Sequence, residues 1–117
     1  MATTLNKSLL SGSTNGKPIK VVATGTLGTT IHTAVSGTSS MDEIWLWAFN
    51  SSASDVTLTI EYGGATVPDQ NIVLTVPSKN GLSLVVPGLL LQNALVVTAF
   101  ASSANVVTLS GFVNNLT

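Results

Sequence analysis

Val56-Thr57-Leu58-Thr59-Ile60-Glu61-Tyr62 alternates apolar and polar residues without a break. Successive side chains of a strand point to opposite faces, so this spacing gathers Val56, Leu58, Ile60 and Tyr62 on one side. Branched residues and Thr suit such a pleated, half-buried surface. The segment predicts a β-strand lying on a core. Less strictly alternating runs follow the same pattern at residues 19–24, 29–35, 43–49, 71–76, 82–86, 94–100 and 106–113. Clusters rich in Gly, Ser, Asn and Pro separate them: Ser11 to Gly16, Ser36 to Ser40, Asn50 to Ser52, Gly63-Gly64, Pro77 to Gly81 and Pro87-Gly88. These read as turns. Strands about ten residues apart, with no helical period, predict an all-β sandwich or barrel. About eight strands fit a single-domain, jelly-roll-like β-sandwich spanning residues 1–117, with a short N-terminal arm before Ser11.

Charge is scarce, and that limits function. Asp, Glu, Lys and Arg make up 8% of the 117 residues, Cys is absent and there is one His. A globular domain ordinarily carries about a quarter charged residues. Four cations, Lys7, Lys17, Lys20 and Lys79, are scattered through a chain of net charge −1. Phosphate binding needs clustered positive charge, so nucleic acid and a polybasic membrane contact are not expected partners. The longest apolar stretch, residues 84–91, is interrupted by Pro87 and Gly88 and falls well short of a membrane-spanning helix. Mean hydropathy is nevertheless +0.49. Surplus apolar surface of this kind implies contact with other subunits.

Ile44-Trp45-Leu46-Trp47-Ala48-Phe49 is apolar on both faces of the predicted strand, as are Ala94–Phe100 and parts of 82–91. A strand with two apolar faces has one toward its own core and the other covered by something else. With Ile44, Leu46 and Ala48 inward, Trp45, Trp47 and Phe49 become a candidate interface. In the opposite arrangement the tryptophans fill the core and the smaller set lies under a loop. Alternation alone supports both.

No segment carries a catalytic or cofactor motif. Gly12-Ser13-Thr14-Asn15-Gly16-Lys17 has one residue too few between its glycines for a phosphate loop, and Pro18 stands where the magnesium-binding hydroxyl belongs. Gly12-x-Thr14-x-Gly16 resembles a nucleophile elbow but lacks the helix that an elbow opens. His32 is expected to be an outward strand residue without an orienting acid. Adjacent Asp42 and Glu43 should point to opposite faces. Asp55, Glu61 and Asp69 are isolated and build no calcium loop. Sequons occur at Asn6, Asn50 and Asn115, but with no secretion signal beside them they carry little weight. The residues thus predict no enzyme, no metal and no cofactor.

Residues 5–113 resemble small proteins encoded beside the major capsid gene of tailed bacteriophages, including phages of cyanobacteria. The stretches that carry the likeness are Leu9-Leu10-Ser11-Gly12-Ser13-Thr14-Asn15-Gly16-Lys17-Pro18-Ile19-Lys20-Val21, the hairpin from Asp42-Glu43-Ile44-Trp45-Leu46-Trp47 through Asn50 to Glu61, and Val85-Val86-Pro87-Gly88-Leu89. Such proteins resemble head decoration, or cement, proteins. The resemblance implies a β-sandwich, often trimeric, made in the host cytoplasm. It would bind the major capsid protein on the outside of the virion and reinforce capsomer junctions. It assigns no functional residue. From the residues alone, the rival reading is a carbohydrate-binding β-sandwich of fibre or lectin type, because jelly rolls also serve lectins.

Overall fold

Alternation obliges each strand to find a core on one side, and two facing sheets meet that need. The computed structural model describes residues 4–117; residues 1–3 of the expected N-terminal arm lie outside it. The described residues form nine strands and no α-helix: β1 (Leu5–Leu9), β2 (Ile19–Lys20), β3 (Thr29–Thr33), β4 (Met41–Asn50), β5 (Val56–Tyr62), β6 (Asn71–Val76), β7 (Ser83–Leu91), β8 (Val96–Ala101) and β9 (Val107–Leu116).

Pairing is antiparallel and nests from the chain ends inward. β1 and β2 both pair with β9, β3 with β8, β4 with β7 and β5 with β6. The chain is thus one long hairpin ribbon. Ladders β4–β9 and β5–β8 wrap that ribbon into a five-stranded sheet, order β1-β9-β4-β7 with β2 also on β9, and a four-stranded sheet, order β3-β8-β5-β6. A ribbon wrapped this way is a jelly-roll β-sandwich. The ninth strand arises because the first arm of the ribbon is broken by the Gly-rich turn after Leu10.

Inward residues of both sheets fill the space between them. Ile44, Leu46 and Ala48 of β4, Leu58 and Ile60 of β5, Val97 and Ala99 of β8 and Leu109 of β9 have no exposed surface. Each large aliphatic side chain so enclosed contributes about 1.5–3 kcal/mol. Leu46→Ala would remove about 2–5 kcal/mol, since the surrounding sheet can collapse only partly onto the void.

Three local expectations need correction. Pro87-Gly88 is not a turn; both residues lie inside β7. Register passes from Ile44↔Leu89 to Trp45↔Pro87 and skips Gly88, which takes φ of 80° at the bulge. β7 is an edge strand, where Pro is tolerated. The expected strand at 19–24 keeps only Ile19–Lys20 in the sheet, and the following residues cross to the other one. Val21 N–H still donates to Val107 O of β9 at 2.8 Å, and Ala23 O then accepts from Ala101 N–H of β8, in the other sheet, at 3.1 Å. The arm before Ser11 contains β1, whose five residues are all exposed. Without an inward apolar set, alternation gave β1 no signal.

Candidate functional site

β4 resolves the ambiguity of its two apolar faces. Asp42, Ile44, Leu46, Ala48 and Asn50 point inward and are buried, while Glu43, Trp45, Trp47 and Phe49 are half-buried on the outer face. Directly paired residues in an antiparallel ladder share a face. Trp45 therefore stands beside Phe112, Trp47 beside Ser110, Phe49 beside Thr108 and Glu43 beside Asn114.

Trp45, Trp47 and Phe112 form one aromatic group. Ring centroids are 6.3 Å apart for Trp45–Trp47, 6.3 Å for Trp45–Phe112 and 6.0 Å for Trp47–Phe112, with planes inclined by 20°, 16° and 29°. A column of rings would put its outer members twice as far apart as neighbours. Three near-equal separations instead describe a tile of near-parallel rings. Gly88 makes room for it, since a Cβ there would lie 2.8 Å from Cζ2 of Trp45. Polar groups fix its border. Trp45 Nε1 donates to Glu43 Oε1 at 2.8 Å, and Asn114 Nδ2 donates to the same oxygen at 2.9 Å. These bonds, Asn114 first, hold the Glu43 carboxyl below its ordinary range. Lys7 Nζ lies 4.7 Å above the Phe112 ring, a cation–π contact. Exposed Leu9 on β1 and exposed Leu84 and Leu90 on β7 extend the apolar surface to both edges of the sheet.

Two of the three candidate interface residues, Trp45 and Trp47, thus belong to the tile. Phe49 shares the face without joining the tile's ring contacts. Phe112 takes the third place, although sequence reasoning had not singled it out. The available signal was period-two alternation inward at Val107, Leu109 and Val113, which turns Ser110, Phe112 and Asn114 outward.

His32 is not the outward residue expected; it is 4% exposed. A β-bulge between Thr30 and His32 turns its ring inward. Its Nδ1 accepts from Ser11 N–H at 2.9 Å, so the ring proton sits on Nε2, which donates to Asp42 Oδ2 at 2.7 Å. Val35 N–H and Asn115 Nδ2 complete the Asp42 carboxylate at 3.1 and 2.8 Å. Ser11 Oγ accepts from Thr33 N–H at 2.7 Å, while the ring takes the Ser11 backbone N–H rather than its hydroxyl, so hydroxyl and imidazole are not hydrogen-bonded as a nucleophile–base pair. It ties the N-terminal turn to β3, β4 and β9.

Glu61 faces away from the core yet has no exposed surface. The segment after β2 covers it. Thr98 Oγ1 and Gly28 N–H donate to Oε1 at 2.6 and 2.8 Å, and Thr26 Oγ1 donates to Oε2 at 2.9 Å. Burial pushes this carboxyl up, but the three donors together outweigh burial and hold it below its ordinary range.

The sequons divide by burial. Asn50 is enclosed, with Nδ2 bound to Ser54 O and Val76 O, and Asn115 Nδ2 is engaged by Asp42. Asn6 lies on exposed β1. No group of three or more His, Asp or Glu side chains able to hold a metal occurs among the described residues. Comparison with protein-family models, curated proteins and solved structures finds no match.

Proposed function

We propose that this protein is a structural decoration, or cement, protein of a tailed-phage head. It acts as a rigid adhesive body that self-associates and docks on the outer surface of the capsid shell, where it reinforces capsomer junctions. The observation that carries this reading is the aromatic tile on an outer sheet face, flanked to both edges by exposed leucines. Apolar surface of this extent marks an interaction site. The buried polar clusters support the reading in another way, because both Glu61 and the His32–Asp42 pair pin segments together rather than present reactive atoms. Several copies bound to a symmetric shell gain from effective concentration even when each contact is weak.

The test is co-sedimentation of purified protein with expanded phage heads that lack it. Saturable binding at a fixed copy number per head is expected. Absence of binding to heads of the matching phage would overturn the reading. The tile also favours a second reading, a carbohydrate-binding module, because near-parallel rings bordered by Glu43, Asn114 and Lys7 offer a stacking platform with polar edges. Glycan-array binding abolished by Trp47→Ala, with head binding absent, would favour that alternative.

A further inference from the structure

We propose that the outer face of the five-stranded sheet is a self-contact, on which a second copy of this chain packs about a two-fold axis running along β9. The proposal rests on the reading of this face as adhesive and assigns it to self-association, leaving other surfaces for the shell.

The argument is one of register. Across β1 and β2, β9 and β4, the outward residues form rows: Leu5–Leu116–Met41, Lys7–Asn114–Glu43, Leu9–Phe112–Trp45 and Lys20–Thr108–Phe49. Neighbouring strands are about 4.8 Å apart, so each row is centred on β9 with its ends one strand away on either side. A two-fold axis above β9 and parallel to it lays each row on itself, reversed. Lys7 then meets Glu43 of the second copy, Leu9 meets Trp45, Lys20 meets Phe49, Leu5 meets Met41, and Phe112 meets its own counterpart.

Two-fold interfaces require a patch that is complementary to itself. Here an ammonium falls on a carboxylate, a cation on an aromatic ring, and apolar groups on apolar groups. Shifting the axis to lie between β9 and β4 would instead set Lys7 on Leu90 and Glu43 on Asn114, leaving both charges unpaired. Within the chain, Asn114 and Trp45 both donate to Glu43 Oε1, which leaves Oε2 for the incoming ammonium. Lys7 stands over Phe112, close to the axis. Facing sheets cross at about 30°, and so close to the axis that rotation displaces the rows little. With a net charge of −1, two copies scarcely repel.

Sedimentation equilibrium at micromolar concentration tests this. The wild-type chain should sediment as a dimer of the 12.0 kDa subunit. Lys7→Glu and Glu43→Lys should each weaken the dimer about tenfold or more, since like charges are brought together. An equimolar mixture of the two variants, or K7E/E43K in one chain, should restore it, because each altered position again meets its opposite. Glu43 also holds Trp45 and Asn114, so circular dichroism melts accompany each variant. Should Glu43→Lys fail to fold, Lys7→Glu and Leu9→Asp, neither of which removes a hydrogen bond from the core, carry the test. A monomeric or trimeric wild type overturns the proposal, as does a dimer indifferent to these changes or one that mixing does not restore. If such a protein still co-sediments with heads, the decoration reading survives; a two-fold dimer that ignores heads leaves only the self-contact.

Discussion

Glu61 shows how one residue can carry a segment of the fold. Three donors converge on its carboxylate, two of them from the strap that crosses between the sheets after β2. Glu61→Ala would strand these donors out of water and should cost about 3 kcal/mol, measured by urea denaturation. The sign of its pH dependence follows from its lowered pKa. Glu61 stabilises the fold fully above its ordinary value of 4.5 and loses that contribution as pH falls through the lower folded value. Wild-type melting temperature should therefore fall with acidification below that point. Glu61→Gln cannot titrate, so it should show a flatter slope there and lower stability at neutral pH. An unchanged slope would remove Glu61 from this role. His32→Ala should likewise cost about 2 kcal/mol, because it leaves Ser11 N–H without its acceptor and Asp42 Oδ2 with the Val35 N–H alone.

At the scale of elements, two glycines let β4 lie against its neighbours. Gly88 needs its positive φ and leaves room for the Trp45 indole. Gly88→Ala should cost about 1–2 kcal/mol, mostly from backbone strain. The displaced indole should also shift the tryptophan emission of the native state. Gly111 is tighter, because a Cβ there would collide with the Trp45 carbonyl oxygen, and backbone yields less readily than a ring. Gly111→Ala should disrupt the β4–β9 ladder and cost about 3 kcal/mol or more. Guanidinium unfolding of both variants checks the order. A Gly88 variant weaker than the Gly111 variant would contradict this account of the sheet.

For the whole molecule, the outward position of Trp45 and Trp47 separates stability from adhesion. Both are half-buried on a face that does not line the core, so Trp45→Ala and Trp47→Ala should keep the far-ultraviolet spectrum and a cooperative melt. Truncating an aromatic anchor in a desolvated contact costs about 2 kcal/mol, or roughly thirtyfold in affinity. Self-association of the two variants, measured by sedimentation equilibrium, should fall accordingly, and head occupancy with it, because linked copies hold a shell more tightly than single ones. Variants that fold and self-associate normally would move the self-contact elsewhere, while variants that unfold would return the rings to a structural role.

Alternation and turn residues were enough to derive an all-β sandwich, because each depends only on near neighbours in the chain. β5 begins and ends where the alternation does, and β6 covers the expected run at residues 71–76. The six-residue apolar run in β4 left open which face holds the tryptophans. That choice came from pairing, once β9 and β7 took either side and Gly88 gave Trp45 a seat. Tertiary structure also joined Phe112 to Trp45 across 67 positions of chain, His32 to Asp42, and Glu61 to a strap more than thirty residues away. Contacts of this sort leave no local periodicity, since each partner's own neighbourhood is satisfied without the other. Register between distant strands, a property of the closed sheets, decided where the side chains on the outer face would meet.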